Sequence, residues 1–346
     1  MKMIRAQGLS LLAAALLAAC GGGDDKPSYS RVVSFGDSLS DVGTYATPAL
    51  VASTGGGKYL VNGPTGKVWI ELVAARVGAG APCAAQVGLE SSGPLAGLAA
   101  APVTKVDCFG YAQGGARVTN PVGPANKALL ALGNTDGYLG QLTVPVTTQI
   151  QRHLANGGFK SKDLVLVWAG GNDVFMNLGA VGAGGSATAA VTAMATAGTE
   201  LANLVKSIQA QGALRIVVAT AGDVNKTPYG STLPAATQGL VTSMTKAYND
   251  ALTAGLAGNS GVVLVDAYTR SQDQATNPSK FGVSNATTPA CDLVKASLGS
   301  LGCSAATLIP GDVSKFLFAD GVHPSPYGHQ LIADYVMERL VAAGWF

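Results

Sequence analysis

One short stretch of the chain carries the clearest structural signal, RVVSFGDSLSDVG, which occupies residues 31–43. It begins with Arg31–Phe35, a β-branched and apolar run whose length is typical of a strand. Gly36 and Asp37 then break the run, so Ser38 is expected just past the strand, at the start of a helix. In an open sheet of parallel strands, ligands bind beyond the carboxyl ends of the strands. Ser38 is therefore the first candidate for a functional side chain.

Strand-sized apolar runs alternate with helical patterns along the rest of the chain. Further strands are predicted at Leu164–Ala169, Leu214–Ala219 and Val262–Asp266, and helices at Val68–Val77, Ala187–Gln211, Ala235–Gly258 and Pro324–Ala343. This alternation is typical of βαβ units, in which helices cover both faces of a parallel sheet. The pattern predicts one α/β domain over residues 31–346.

Two long stretches interrupt the alternation and are predicted to be loop insertions. The first covers about 79–136 and is rich in Gly, Ala and Pro, and the second covers about 269–315 and is polar. Structureless stretches of this length in a compact domain are usually functional loops or lids. Short elements that the pattern does not reveal are an equally supported alternative.

The composition excludes several classes of protein. The chain is 48% hydrophobic and 12% charged, and its 22 basic and 20 acidic residues give a net charge of +2. Nucleic-acid binders usually carry a concentrated basic excess, and disordered chains combine low hydrophobicity with high net charge. We therefore expect an ordered protein with no nucleic-acid partner. Beyond residue 20 the apolar runs are strand-sized, which predicts no transmembrane helix in the mature chain.

The first twenty residues resemble a bacterial lipoprotein signal. Two basic residues precede Leu9–Ala19, an apolar segment too short to span a membrane as a mature helix, and the motif LAAC ends at Cys20. The resemblance implies a signal peptide over residues 1–19, a lipid anchor on Cys20 that holds the protein to a membrane, and a flexible tether over residues 20–30. The absence of Asp after Cys20 favours the outer membrane or cell surface. The alternative is an ordinary signal peptide and a periplasmic or secreted protein.

Four cysteines remain after Cys20. An even number in an exported chain suggests two disulfides, for which three pairings are possible. We favour the sequence-local pairs Cys83–Cys108 and Cys291–Cys303. Four free thiols are the alternative. A zinc site is disfavoured because the chain has no CxxC pair and only three histidines. We expect no metal and no cofactor.

Polar residues with catalytic potential follow other parts of the predicted sheet. Asn172, in the motif GGND, comes after the second predicted strand, and its amide offers two donors at the same edge as Ser38. Asp320 and His323, in DGVHP, are three residues apart, a spacing that lets the carboxylate hold the imidazole N–H. Of the other histidines, His153 is predicted at the surface and His329 in a structural position.

Four sequence blocks occur in the order that is typical of the SGNH (GDSL) hydrolase superfamily. They are GDSLSDVG (36–43), YAQGGA (111–116), GGND (170–173) and DGVHP (320–324). Together with NGPTGKVWIELVA (62–74), they resemble its lipase- and esterase-like branch and cover essentially the whole chain after the tether. The resemblance implies a three-layer α/β/α sandwich of flavodoxin-like type around a central parallel sheet.

The resemblance also implies a role for each matching residue in a Ser-His-Asp triad. Ser38 matches the nucleophile, His323 the base and Asp320 the acid. A serine hydroxyl is a poor nucleophile at neutral pH and needs an adjacent base, which histidine supplies because it exchanges protons near neutrality.

The oxyanion site is implied in the same way. The N–H groups of Ser38 and Gly115 and the side chain of Asn172 match its donors, and a shift of one residue would put Gly114 in place of Gly115. One position departs from the superfamily, which often has Asn where this chain has Gly110. That departure puts in doubt a hydrogen bond that braces the loop, for which the nearby predicted disulfide is an alternative brace.

These residues predict a carboxylic ester hydrolase that acts through an acyl-enzyme on Ser38. An esterase, lipase or lysophospholipase with a lipid or small acyl ester as substrate is the leading hypothesis. A polysaccharide O-acetyl esterase would use the same residues on acetylated sugar. A surface lipoprotein that binds glycan or lipid without catalysis is the third hypothesis, since folds of enzymes also host lost activities.

Overall fold

A sheet of parallel strands forms the centre of the protein. The computed structural model describes residues 27–346. The predicted signal peptide, Cys20 and the first part of the predicted tether, residues 20–26, lie outside the described residues. The strands are β1 (Arg31–Gly36), β2 (Gln86–Leu89), β3 (Ala100–Thr104), β4 (Asp163–Trp168), β5 (Ile216–Ala219) and β6 (Val262–Val265).

The central sheet contains β1, β4, β5 and β6 in that order, and all neighbours are parallel. Residues Gly36 and Trp168 are paired at the last position of β1 and β4, so the two strands end at the same level. The loops that follow them therefore leave the sheet side by side.

An extended segment, residues 109–113, adds a fifth parallel chain on the side of β1 opposite β4. The Ser34 N–H donates to the Phe109 carbonyl at 3.0 Å, and the Tyr111 N–H donates to the Ser34 carbonyl at 2.8 Å. With this segment counted second along the chain, the order across the sheet is 2-1-3-4-5, which is the flavodoxin-like order. The predicted fold class is confirmed.

Helices cover both faces of the sheet. They are α1 (Pro48–Thr54), α2 (Trp69–Arg76), α3 (Val146–Ala155), α4 (Gly171–Gly182), α5 (Ala187–Ala210), α6 (Pro228–Ser231), α7 (Ala235–Leu256), α8 (Ala267–Thr276) and α9 (Pro326–Ala342). Val33 and Phe35 of β1 pack into one core with α5 and α7, whereas Val32 packs into the other with α2 and α9. Central strands are buried on both faces, which is why they have apolar sequences without alternation.

Short elements and both disulfides occupy the stretches predicted as insertions. The first holds the antiparallel pair of β2 and β3, and the second holds 3₁₀ helices at Pro278–Phe281, Gly299–Gly302 and Ala305–Thr307. The four cysteines form the sequence-local bridges, Cys83–Cys108 and Cys291–Cys303, with Cα atoms 5.0 and 5.9 Å apart. Each bridge therefore closes part of one insertion. Between residues 27 and 346, no helix has both the length and the apolar character needed to cross a membrane.

The structure corrects the prediction for His153, which is fully buried on α3. Its ring packs against those of Tyr111 and Phe159, with centroids 5.3 and 4.4 Å away. Burial lowers the pKa of His153 to about 4, so the ring is neutral near pH 7. A neutral imidazole can pack in an aromatic core. The prediction of a surface position, which was based on the polar residues around His153, was therefore wrong. His329 is also fully buried, and its Nδ1 accepts the Trp69 N–H at 3.3 Å.

Candidate active site

Ser38 lies in a tight turn directly beyond the carboxyl end of β1. The turn needs glycine at position 36, where φ is +141° and a Cβ would lie 1.9 Å from the Trp168 carbonyl oxygen. Only a residue without a side chain can pass β4 this closely. Ser38 is 7% exposed, so its hydroxyl is in a sheltered position at the edge of the sheet.

The helix expected at Ser38 is not formed. The chain continues in turns, and the next helix begins at Pro48. Asp41 accounts for the difference, because its Oδ1 accepts the N–H groups of Gly43 and Thr44 at 2.9 and 2.7 Å. Side chains that bond to nearby backbone in this way compete with helix formation.

The structure brings Ser38, His323 and Asp320 into one hydrogen-bonded chain. His323 Nε2 lies 2.9 Å from Ser38 Oγ, and His323 Nδ1 lies 2.8 Å from Asp320 Oδ2. The other carboxylate oxygen, Oδ1, accepts the N–H groups of Val322 and His323 at 2.8 and 2.7 Å. The local turn therefore orients the carboxylate toward the ring.

The charge of Asp320 is stabilised inside a buried site. Burial favours a raised pKa, but the adjacent His323 ring and the N–H groups that donate to the carboxylate outweigh it. They hold the pKa of Asp320 well below its usual range. The carboxylate is therefore ionised over the pH range in which histidines ordinarily change charge.

Ser300 is a further contact of this group, which sequence reasoning missed. Its N–H donates to Asp320 Oδ2 at 2.8 Å, and its Oγ lies 3.1 Å from His323 Nδ1. Ser300 is 1% exposed and lies in the loop closed by the Cys291–Cys303 bridge, and the Asn62 amide donates to its carbonyl at 2.9 Å. No local pattern indicates Ser300, because its partners come from segments that only the fold brings together.

We expect Ser300→Ala to lower kcat modestly for the ester hydrolysis that the sequence predicts, and to leave KM nearly unchanged. The variant removes the hydroxyl beside His323 but keeps the backbone N–H that donates to Asp320. A net hydrogen-bond contribution of about 0.5–1.5 kcal/mol corresponds to a roughly 2- to 13-fold lower kcat. Steady-state kinetics measure the effect. The exposed Ser297 of the same loop provides the matched control, Ser297→Ala, and equal kinetics in the two variants would contradict a positioning role.

The predicted oxyanion glycine follows the extended segment 109–113. The Gly114 N–H donates to Asp41 Oδ2 at 2.9 Å. Within residues 27–346, the Gly115 N–H is paired with no protein acceptor. Gly115 has φ +77°, and a Cβ there would lie 2.6 Å from Thr143 Cγ2. This hydrogen-bond pattern favours Gly115 over Gly114 as the donor to a ligand.

The first turn of α4 binds the residues that follow Gly115, at positions 116–118. Asn172 donates from Nδ2 to the Ala116 carbonyl at 2.8 Å, which leaves its second amide hydrogen for another acceptor. Asp173 accepts from Arg117 Nε at 2.9 Å and from the Val118 N–H at 3.1 Å. The two side chains fix the loop to the end of β4, beside the turn that contains the candidate nucleophile.

Gly110 replaces the expected asparagine for a steric reason. A Cβ at this position would lie 2.5 Å from Val42 Cγ2 and 2.9 Å from the Cys83 carbonyl oxygen. The Gly110 N–H donates to the Cys83 carbonyl at 3.0 Å, and the Ala85 N–H donates to the Gly110 carbonyl at 2.8 Å. Backbone bonds next to the Cys83–Cys108 bridge therefore brace the loop.

Asp37 adds a titratable group next to Ser38. It is 3% exposed, and burial raises its pKa to about 7, although the Leu39 N–H and the charge of His323 partly oppose this effect. Asp37 therefore changes charge near neutral pH. Among residues 27–346 there is no cluster of three or more His, Cys, Asp or Glu side chains that could hold a metal ion.

A cavity of about 420 Å³ opens beside Ser38, Asn172 and His323. Most of its wall is apolar and includes Phe175, Val224, Tyr229, Leu317, Phe318 and Ile332. The volume falls within the range of small-molecule sites. The cavity is therefore suited to shield the apolar part of a ligand from water while a reacting group lies next to Ser38.

Comparison with known proteins agrees with the sequence blocks. Residues 32–336 match the GDSL-like lipase/acylhydrolase family. Esterase EstA of Pseudomonas aeruginosa is 30% identical over 375 residues, which cover 99% of this chain and 52% of that protein. A GDSL esterase/lipase of Arabidopsis thaliana is 26% identical over 147 residues, which cover 40% of each. The chain spans about half the length, or less, of these curated relatives.

Solved structures of similar proteins include a lipolytic protein of the G-D-S-L family from Veillonella parvula. It is 13% identical, has a TM-score of 0.42, and the match covers 90% of this chain and 98% of that one. An extracellular lipase from Streptomyces rimosus is 12% identical with a TM-score of 0.40, and the match covers 90% of this chain and 99% of that one.

Proposed function

The chain belongs to the GDSL-like lipase/acylhydrolase family, and on this premise we propose that it hydrolyses carboxylic esters through an acyl-enzyme on Ser38. The hydrogen-bonded chain from Ser38 Oγ through His323 to Asp320, with distances of 2.9 and 2.8 Å, carries the proposal. These distances fall in the range required for proton transfer between a nucleophile, a base and the group that orients the base.

In the acylation step, His323 Nε2 takes the hydroxyl proton as Ser38 Oγ attacks the ester carbonyl. The positive charge that develops on the ring is stabilised by the Asp320 carboxylate at Nδ1. When the tetrahedral intermediate collapses, the C–O bond to the alcohol breaks and His323 returns the proton to the leaving oxygen. Water then attacks the acyl-enzyme while His323 accepts a proton from it. His323 returns the proton to Ser38 Oγ, and the carboxylic acid and free Ser38 are released.

The negative oxygen of the intermediate needs donors that are in place before the reaction. We assign this role to the N–H groups of Ser38 and Gly115 and to the free amide hydrogen of Asn172. Fixed donors of this kind commonly contribute a factor of about 10²–10³ each to the rate. The bonds of Asp41 to Gly114 and of Asn172 to Ala116 support the assignment, because they hold the loop that carries the donors.

The cavity supports an ester with an apolar chain, of the esterase, lipase or lysophospholipase type. Apolar side chains dominate its wall, whereas an acetylated sugar would need hydroxyl partners along it. We expect the activity of the purified protein on p-nitrophenyl esters to rise from acetate to medium-length acyl chains. Initial rates on a series from acetate to palmitate, with lysophosphatidylcholine alongside, measure this.

A fluorophosphonate probe tests the nucleophile separately from substrate choice. We expect one labelled site, at Ser38, when the modified peptide is located by mass spectrometry. Hydrolysis confined to acetylated polysaccharide would replace the proposal by an O-acetyl esterase. Absence of both hydrolysis and labelling would favour a binding lipoprotein without catalysis.

A further inference from the structure

The cavity extends from the candidate nucleophile across the carboxyl ends of the strands. Its wall includes Ser38 after β1, Asn172 after β4, Gly222 after β5 and Ala267 after β6, and it continues to Arg270 on α8. Because β1 and β6 are three strands apart, this path is about 14 Å long at the usual strand spacing. A group bound at α8 is therefore remote from the scissile bond.

Arg270 lies at this remote end with few polar partners. Its guanidinium carbon lies 4.7 Å from the ring centroid of Phe281 and 4.5 Å from that of Tyr335. The nearest carboxylate is Glu338, at a long 3.5 Å and with a side chain 58% exposed. The buried Nε has no hydrogen-bond partner within the described residues. Aromatic faces, rather than a tight ion pair, hold this cation in the cavity wall.

A second polar side chain lines the same end. Gln274 lies one turn after Arg270 on α8, is 6% exposed, and its Nε2 has no hydrogen-bond partner in the chain from residue 27 onward. Residues four apart lie on the same face of a helix. A buried donor without an acceptor is costly, so two of them on residues that line the same end of an apolar cavity point to a missing acceptor group.

The other charges that face this end do not supply that acceptor. Asp223 lines the cavity, but its oxygens already accept the Asn225 N–H at 3.0 Å and the Gln272 amide at 2.9 Å. Lys226 lines the cavity as well and adds positive charge. Asp37 lies at the opposite end, beside Ser38. The remote end therefore combines Arg270 with Glu338, whose side chain is mostly exposed, and with Asp223, whose oxygens are engaged by the protein.

We infer that the substrate of this site carries an anionic oxygen group, of the carboxylate class, at the far end of the apolar chain that fills the cavity. The planar fork of Arg270 suits a carboxylate, which can accept two N–H groups at once. Gln274 offers a further donor one helical turn away. The inference rests on the proposed ester hydrolysis, because it concerns the chain attached to the ester that Ser38 cleaves.

Matched esters test the inference. The acyl pair is p-nitrophenyl decanoate and the mono-p-nitrophenyl ester of decanedioic acid, and the alcohol pair is decyl acetate and the acetate ester of 10-hydroxydecanoic acid. We expect Arg270→Met to lower the ratio of kcat/KM for the anionic over the neutral ester at least tenfold in one pair. The affected pair identifies whether the acyl or the alcohol part fills the cavity.

Arg339→Met is the matched control, because Arg339 is exposed on α9 and does not line the cavity. It removes the same charge and should leave both ratios within about twofold of the unmodified protein. Thermal unfolding confirms that both variants are folded. If the neutral esters are hydrolysed but Arg270→Met leaves the ratio of kcat/KM unchanged in both pairs, the inference is overturned while the proposed function stands.

A binding measurement separates the inference from the chemistry. In protein that carries Ser38→Ala, free decanedioate should bind more tightly than decanoate, and adding Arg270→Met should remove most of the difference in isothermal titration calorimetry. Equal binding of the two acids would overturn the inference. Absence of hydrolysis of every ester would overturn the proposed function. Binding that depends on Arg270 would then still support the anionic subsite.

Discussion

Replacement of Ser38 by alanine is expected to remove almost all ester hydrolysis and to lower kcat by roughly 10⁴- to 10⁶-fold. The reason is chemical: the variant has no oxygen to form the acyl-enzyme, and His323 then has no proton to accept from the protein. The fold should persist, because the Ser38 hydroxyl is hydrogen-bonded, within the described residues, to His323 alone. Stopped assays on p-nitrophenyl esters measure the loss, and thermal unfolding measures the stability.

Ser40 provides a control within the same turn. Its hydroxyl is fully buried and accepts the Trp69 indole N–H at 3.2 Å. Ser40→Ala should therefore lower Tm, since it leaves a buried donor without its acceptor, but should keep kcat within about threefold. The opposite pattern, with activity retained in Ser38→Ala and lost in Ser40→Ala, would refute the assignment of the nucleophile.

The second large effect is expected for Asp320→Asn, with kcat lowered about 10⁴-fold. An amide in place of the carboxylate cannot stabilise the positive ring of His323, and its NH₂ group favours the tautomer that places the proton on Nε2. That proton would block the nitrogen that must accept from Ser38. Asparagine has nearly the same size and shape as aspartate, so KM should vary little. Steady-state kinetics on the preferred ester measure kcat and KM separately.

Asp163→Asn is the matched comparison, because Asp163 is also a buried carboxylate. It pairs with Arg31 at the amino end of β1 and β4, with oxygens 2.6 and 2.8 Å from the guanidinium. Breaking this pair should destabilise the protein without a large change in kcat. If Asp163→Asn reduced kcat as much as Asp320→Asn, the loss would reflect general destabilisation and not the loss of a catalytic group.

Much of the fold was predictable from short patterns. β4 is buried on both faces, and its sequence, DLVLVW, is apolar after the first residue. Its short length, its apolar character and the Gly-Gly that follows it were therefore enough to predict a buried strand. The extended segment 109–113 escaped detection because its bridges to Ser34 and Ala84 are isolated and because it contains Gly110 in place of a branched residue. The helix expected at Ser38 was wrong because Asp41 bonds to the backbone that the helix would have needed.

The candidate site was predictable to the extent that it follows strand ends and short motifs. Asp320 and His323 are three residues apart, and a turn of that length brings carboxylate and ring together without help from the rest of the fold. Ser300 and Arg270 were not predictable in this way. Each acquires its surroundings from distant segments, Ser300 through the loop of the second disulfide and Arg270 through α8 and α9.

The sequence by itself determined the alternation of buried strands and covering helices, the local Asp–His pair and the identity of the candidate nucleophile, because these depend on residues close together in the chain. The tertiary structure decided that Gly114, and not Gly115, donates to Asp41 within residues 27–346, that Ser300 contacts the Asp–His pair, and that Arg270 lines the cavity. These features depend on how strand ends, loops and α8 pack in space. Contacts between residues tens to hundreds of positions apart leave no periodic trace in a single sequence.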